Sequence, residues 1–110
     1  SENIIFTKPT ESVILYNAFA WIHTNYVDIR WNATRILMAL LRNPENQALI
    51  NRQVVSLIDT ENVYIKNLIL QHVFKTPGIT ETTKEYVLEV CKHEANYITR
   101  MLCKDVMFFG

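Results

Sequence analysis

The sequence predicts an all-α fold of six helices, paired into three stacked helix–turn–helix repeats. Three observations predict it. Glycine occurs twice and proline three times in 110 residues; both disfavour helix interiors, so their scarcity favours long helices over turn-rich β structure. Apolar residues recur at helical spacing almost throughout, and no stretch has the strict alternation of a half-buried strand. Three stretches also echo one another: HTNYVDIR from His23, DTENVYIK from Asp59 and HEANYIT from His93.

The first segment follows Pro9, a residue suited to a first helical turn because the N–H it lacks has no helix partner there. Ile14, Ala18, Trp21 and Ile22 then share a face. The second runs over about 26–42 and aligns Ile29, Ala33, Ile36, Leu37 and Leu40. Asn43-Pro44 ends it, since a residue before proline is pushed out of the α region. The third, about 45–58, aligns Ile50, Val54, Leu57 and Ile58; the fourth, about 61–74, aligns Ile65, Ile69 and Val73. Lys75-Thr76-Pro77-Gly78 reads as a turn. Thr80 is placed to cap the fifth segment with its hydroxyl, which aligns Val87, Val90 and Cys91. The sixth, about 94–107, aligns Ala95, Ile98, Leu102 and Val106.

Superposing Ile29, Ile65 and Ile98 gives offsets of 36 (65 − 29) and 33 (98 − 65). The preceding helices then match too: Ala18 with Val54 and Val87, Trp21 with Leu57 and Val90, Ile22 with Ile58 and Cys91. Residues 1–110 therefore read as one domain, with repeats at about 9–42, 45–74 and 80–107. One such unit cannot bury its own apolar stripe, whereas stacking three makes a continuous core. A non-repeating helical bundle is the alternative. Ile29-Arg30-x-x-Ala33-x-x-Ile36-Leu37 and Ile65-Lys66-x-x-Ile69-x-x-His72-Val73 resemble the HEAT family of helical repeats, and the likeness covers nearly the whole chain. In the third unit Thr99 stands where the base would be. The resemblance implies a right-handed α-solenoid whose second helices line the concave side.

Eleven basic and eleven acidic residues give a formal charge of zero, which argues against a tail built for nucleic acid or an anionic membrane. No apolar run approaches the ~18–20 residues of a membrane-spanning helix, and the N-terminal SENIIFTKPTE has no basic region before an apolar core. No membrane partner is expected. Cys91 and Cys103 form no CxxC pair and suggest no disulfide framework. Cys91 aligns with Ile22 and Ile58, so it reads as a core thiol. Together the cysteines point to a reducing, cytoplasmic location. His93-Glu94-Ala95-Asn96-Tyr97 opens like a zinc-protease helix, but the second histidine that motif needs is replaced by Tyr97. His23, His72 and His93 share no spacing with a carboxylate pair, and Gly78 and Gly110 are too far apart for a phosphate loop. The sequence therefore offers no catalytic, metal-binding or cofactor-binding residues, and no cofactor is expected.

Charge and aromatic placement are more informative. The second helices hold Arg30, Arg35, Arg42, Lys66, Arg100 and Lys104 against Asp28, Glu61, Glu94 and Asp105, a mildly basic set. Trp21 lies on the core register. Trp31 is off the main stripe, and exposed tryptophan is enriched at interfaces. Tyr64 and Tyr97 align in the repeat and read first as packing between repeats, with contact to a partner as the second reading. The expected function is a non-catalytic protein-binding or scaffold module, touching its partner through Trp31, Arg35, Tyr64, Lys66, Tyr97 and Arg100. The alternative is nucleic-acid binding along the basic concave side through phosphate contacts. Phe108 and Phe109 are the candidate self-association pair: these rings either fold back on the last repeat or join a partner or a second copy, so a homodimer through that end is one of the alternatives.

Overall fold

The structure, a computed structural model, describes residues 8–109 apart from 61, with side chains described between 11 and 104. The described chain is all-helical: α1 (Lys8–Trp21), α2 (Val27–Ala39), α3 (Pro44–Ile58), α4 (Val63–Leu70), α5 (Glu81–Lys92) and α6 (Tyr97–Phe109). Short 3-10 turns, Leu40–Arg42 and Val73–Lys75, extend α2 and α4. Consecutive helices pair as α1 with α2, α3 with α4 and α5 with α6. Between pairs, α3 packs on α5, and α2, α4 and α6 pack side by side with α4 in the middle. The molecule measures 46 × 30 × 23 Å.

The helix starts follow local chemistry. Asn43 accepts the Glu45 N–H with its side-chain oxygen, and Pro44 opens α3. Asn62 accepts from the N–H groups of Tyr64 and Ile65, and Thr80 accepts from that of Thr83. Each cap satisfies donors that have no carbonyl partner within the helix. Asn43 also donates to Glu11 Oε2 at 3.1 Å, tying the start of α3 to α1. Gly78 has φ +97°, and a Cβ there would sit 3.0 Å from the Leu41 carbonyl oxygen, so only glycine lets the two inter-pair turns approach. Buried Asn51 braces this contact. Its amide nitrogen donates to Gly78 O at 3.0 Å and its oxygen accepts the Thr80 N–H at 2.9 Å.

The first helices keep the expected register. Ala18, Val54 and Val87 are all fully buried, as are Ile22 and Ile58, with Cys91 buried at the third equivalent position. The second helices do not. Ile65 is buried, but Ile29 is exposed and Ile98 is 63% exposed, while Thr99 is fully buried. Asn62 and Asn96 precede α4 and α6 with an offset of 34 (96 − 62), which sets Thr99, not Ile98, level with Ile65. The burial of a threonine there is satisfied locally: its N–H and hydroxyl both face asparagine oxygens. Trp21, expected in the core, is 44% exposed, because Ala18 and Ile22 take the buried face and leave the last residue of α1 at its edge.

The cysteines correct a second expectation. Cys91 and Cys103 are joined in a disulfide, with Cα atoms 5.6 Å apart and a sequence separation of 12. An antiparallel helix pair with a four-residue turn sets the last turn of α5 against the second turn of α6, a juxtaposition that spacing alone does not announce. The reading of Cys91 as a core thiol is half right: it is buried, but not free. A reducing location inferred from unpaired cysteines loses its basis. Phe108 and Phe109 end α6, and their side chains lie outside those described.

Closing a loop of this length removes roughly 3 kcal/mol of denatured-state freedom. The variant Cys91→Ser/Cys103→Ser, and the wild type in reductant, should both lose about that much stability in urea unfolding. A variant as stable as the oxidised wild type would show that the bond contributes nothing.

Candidate functional site

The surface of the α2, α4, α6 layer carries two grooves that share a wall. The first lies between α2 and α4, lined by Val27, Arg30, Trp31, Tyr64, Asn67, Leu68 and Gln71. The second lies between α4 and α6, lined by Asn62, Val63, Tyr64, Asn67, Asn96 and Ile98. Tyr64 and Asn67 belong to both. Helical spacing explains this: Tyr64 and Asn67 fall at i and i+3 on the exposed strip of α4, and Gln71, which caps its end, continues the strip at i+7. Ile65, Leu68, Ile69 and Leu70 occupy the buried face.

Several large side chains stand out of this layer. Tyr64 is 72% exposed and Trp31 40% exposed, with Val27 and Ile98 also exposed. The Arg30 guanidinium lies 5.6 Å from the Tyr64 ring centroid, a cation–π contact that spans the first groove. Trp31 leans on His72, their ring centroids 4.9 Å apart. His72 Nε2 is buried with no hydrogen-bond partner among the described residues. Burial, then the charges of Lys75 and Arg35, push the His72 pKa below its usual value near 6.5.

The six expected contact residues do not form one cluster. Trp31 and Tyr64 meet across the α2–α4 groove, and Arg35 joins them through His72. Lys66 does not: its ammonium is 3.1 Å from Glu94 Oε2, and both side chains are largely buried. Burial opposes ionisation of Glu94. The Asn96 N–H and the Lys66 ammonium outweigh it and hold the Glu94 carboxyl below the usual range. Lys66 is thus a tie between α4 and the turn before α6, not a free contact. Tyr97 is 75% exposed at the start of α6 but lines neither groove. The exposure of Tyr64 and Tyr97 overturns the reading that they pack between repeats. Arg100 lies elsewhere, with Lys104, Lys92 and His93 beside the α5–α6 turn and the disulfide. The asparagines Asn62, Asn67 and Asn96, and His72, were missed. The first and third could have been found as N-caps 34 residues apart, whereas nothing in the sequence marks Asn67.

Among the described residues, no group of three or more His, Cys, Asp or Glu could hold a metal ion, and no helix is long and apolar enough to cross a membrane.

The His72 environment makes stability depend on pH. Its folded pKa is depressed, so the unfolded chain binds the proton more readily. Stability is whole above about pH 6.5 and falls as the pH drops through and below that value. Urea unfolding from pH 8 to 5 should show this fall, and it should be smaller in His72→Gln; equal falls would show that His72 is not the titrating group.

No protein-family model, curated protein or solved structure matches the chain.

Proposed function

We propose that this chain is a small HEAT-like solenoid that serves as a non-catalytic protein-binding or scaffold module, with the α2, α4, α6 layer as the partner surface. The pairing of successive helices and the side-by-side packing of α2, α4 and α6 support the stacked-repeat reading. The observation that carries the binding reading is the row of exposed Val27, Trp31, Tyr64 and Ile98 along two adjoining grooves. Exposed apolar side chains gathered in grooves mark interaction sites, whereas scattered ones do not. Tryptophan and tyrosine are also the residues that most often dominate binding energy. Arg35 borders this surface and Tyr97 stands exposed at the start of α6 beside it, whereas Arg100 lies by the α5–α6 turn. The cytoplasmic location is not carried into the proposal, because disulfides persist chiefly in oxidising compartments.

A second reading, nucleic-acid binding, rests on one observation: Arg100 and Lys104 stand together beside the α5–α6 turn. The nearby Lys92 is bridged to Glu89, and Lys66 to Glu94, which leaves little charge for phosphates.

Affinity capture with quantitative mass spectrometry tests the first reading. Partners retained by the wild type should be lost by about 30-fold or more with Trp31→Ala/Tyr64→Ala, the scale of two hot-spot side chains. They should be kept with Tyr16→Ala on α1. Partners indifferent to the double variant would sink the assignment. The second reading expects binding to a labelled duplex or single strand at low salt that collapses as salt rises; no binding at low salt would remove it.

A further inference from the structure

The asparagines of the two grooves have one property in common. Asn62 Oδ1 accepts the N–H groups of Tyr64 and Ile65 at 3.0 and 3.3 Å. Asn96 Oδ1 is held by the Thr99 N–H at 3.1 Å. The Thr99 hydroxyl has a single proton, and it lies 2.5 Å from Asn67 Oδ1. All three oxygens are therefore engaged inside the protein, which fixes the orientation of each amide. The Nδ2 groups of Asn62, Asn67 and Asn96 have no hydrogen-bond partner among the described residues, and each amide lines the α4–α6 groove. Trp31 adds an indole N–H, which can only donate. What a ligand meets here is a set of oriented donors interleaved with the exposed faces of Trp31, Tyr64 and Ile98.

Such a surface needs a ligand with free acceptors and apolar side chains. A helical partner has its carbonyls already paired along its own axis, so it would leave these donors unmatched. An extended chain presents a carbonyl every residue and rises about 3.3 Å each time. Packed helices lie about 8–10 Å apart, so a strand crossing α2, α4 and α6 meets a new helix roughly every three residues. The charge around the grooves selects further. Arg30 lines the first, and Arg35 is exposed further along α2, against Asp28 as the described exposed carboxylate of that helix.

We infer that the grooves bind an extended peptide segment of a partner protein, apolar in its middle and acidic where it crosses α2, whose backbone carbonyls accept from the amides of Asn67 and Asn96. The inference rests on the reading of the α2, α4, α6 layer as the partner surface. It goes further in naming the conformation and chemistry of what binds.

The probe is a phage-displayed library of random twelve-residue peptides, selected on the intact oxidised chain. The selected peptides should share apolar residues bordered by Asp or Glu. The best of them, made synthetically, should bind about tenfold more weakly to Asn67→Asp/Asn96→Asp, the scale of two hydrogen bonds. Those changes keep the Oδ1 acceptors, so Thr99 and the α6 cap stay satisfied, and remove the donors. Measured again at 0.5 M salt, where surface charges are screened, the loss should persist. In a heteronuclear NMR titration of the wild type, the side-chain NH2 signals of Asn67 and Asn96 should shift. Peptides that bind the double variant as tightly as the wild type, or that leave those signals in place, would overturn the inference. If such peptides were still lost with Trp31→Ala/Tyr64→Ala, the partner surface would stand and only the extended, amide-held mode would fall. Selection of no peptide at all would overturn it as well.

Discussion

The fold depends on covering α4. This helix has eight residues, too few to hold a helix in water unaided, and Ile65, Leu68, Ile69 and Leu70 demand burial. Its partners α2, α3 and α6 supply that cover from three sides. The cover works only if the neighbouring turns fit closely. Gly78 lies against the Leu41 backbone, and Asn51 fastens the strand of chain that follows. Once α4 is enclosed, a single strip of it remains on the surface. Tyr64 and Asn67 lie on that strip, and they are also the wall shared by the two grooves. The need to bury α4 and the surface offered to a partner are therefore consequences of one packing arrangement.

The legibility of the fold follows the same division. The spacing of Ala18, Val54 and Val87, and of Ile22, Ile58 and Cys91, could be read directly, because these positions pack against neighbours and tolerate only apolar residues of limited size. The slip in the last helix was hidden because a single isoleucine, Ile98, looks like a core residue. A buried threonine is invisible to a hydrophobic pattern unless the groups that satisfy it are known. Thr99 is acceptable in the core only because Asn67 and Asn96 meet its hydroxyl and its N–H. The disulfide was unreadable for a related reason. Two cysteines carry no spacing signal until a helix pair is folded back on itself.

The candidate site was legible in its aromatic residues and illegible in its polar ones. Trp31 lies off the apolar stripe, and that alone predicts exposure. Lys66 shows why a charge cannot be assigned from sequence: its position in the repeat suggests a free base, yet Glu94 from the following turn reaches it in a largely buried pair. Breaking such a pair leaves an uncompensated partner behind, so its role is architectural before it is functional. The amides are the reverse case. Asn62 and Asn96 serve as N-caps, but a cap uses only the oxygen. The nitrogen half of each side chain is left over for a ligand, held in place by the half that serves the fold.

The two grooves are fastened by different means. In the α2–α4 groove Trp31 rests on His72, and Arg30 spans the groove over Tyr64. The first is a contact of two rings, one of them a histidine that resists protonation, and the second sets a cation over a ring. The α4–α6 groove depends instead on where α6 sits, and that is set by the Cys91–Cys103 bond, the Thr99–Asn67 hydrogen bond and the Lys66–Glu94 pair. Acid acts on the first through His72, and reduction acts on the second through the disulfide. A ligand crossing both would join them. Because it binds only the folded arrangement, it would stabilise each groove by mass action and soften the response of the fold to either condition.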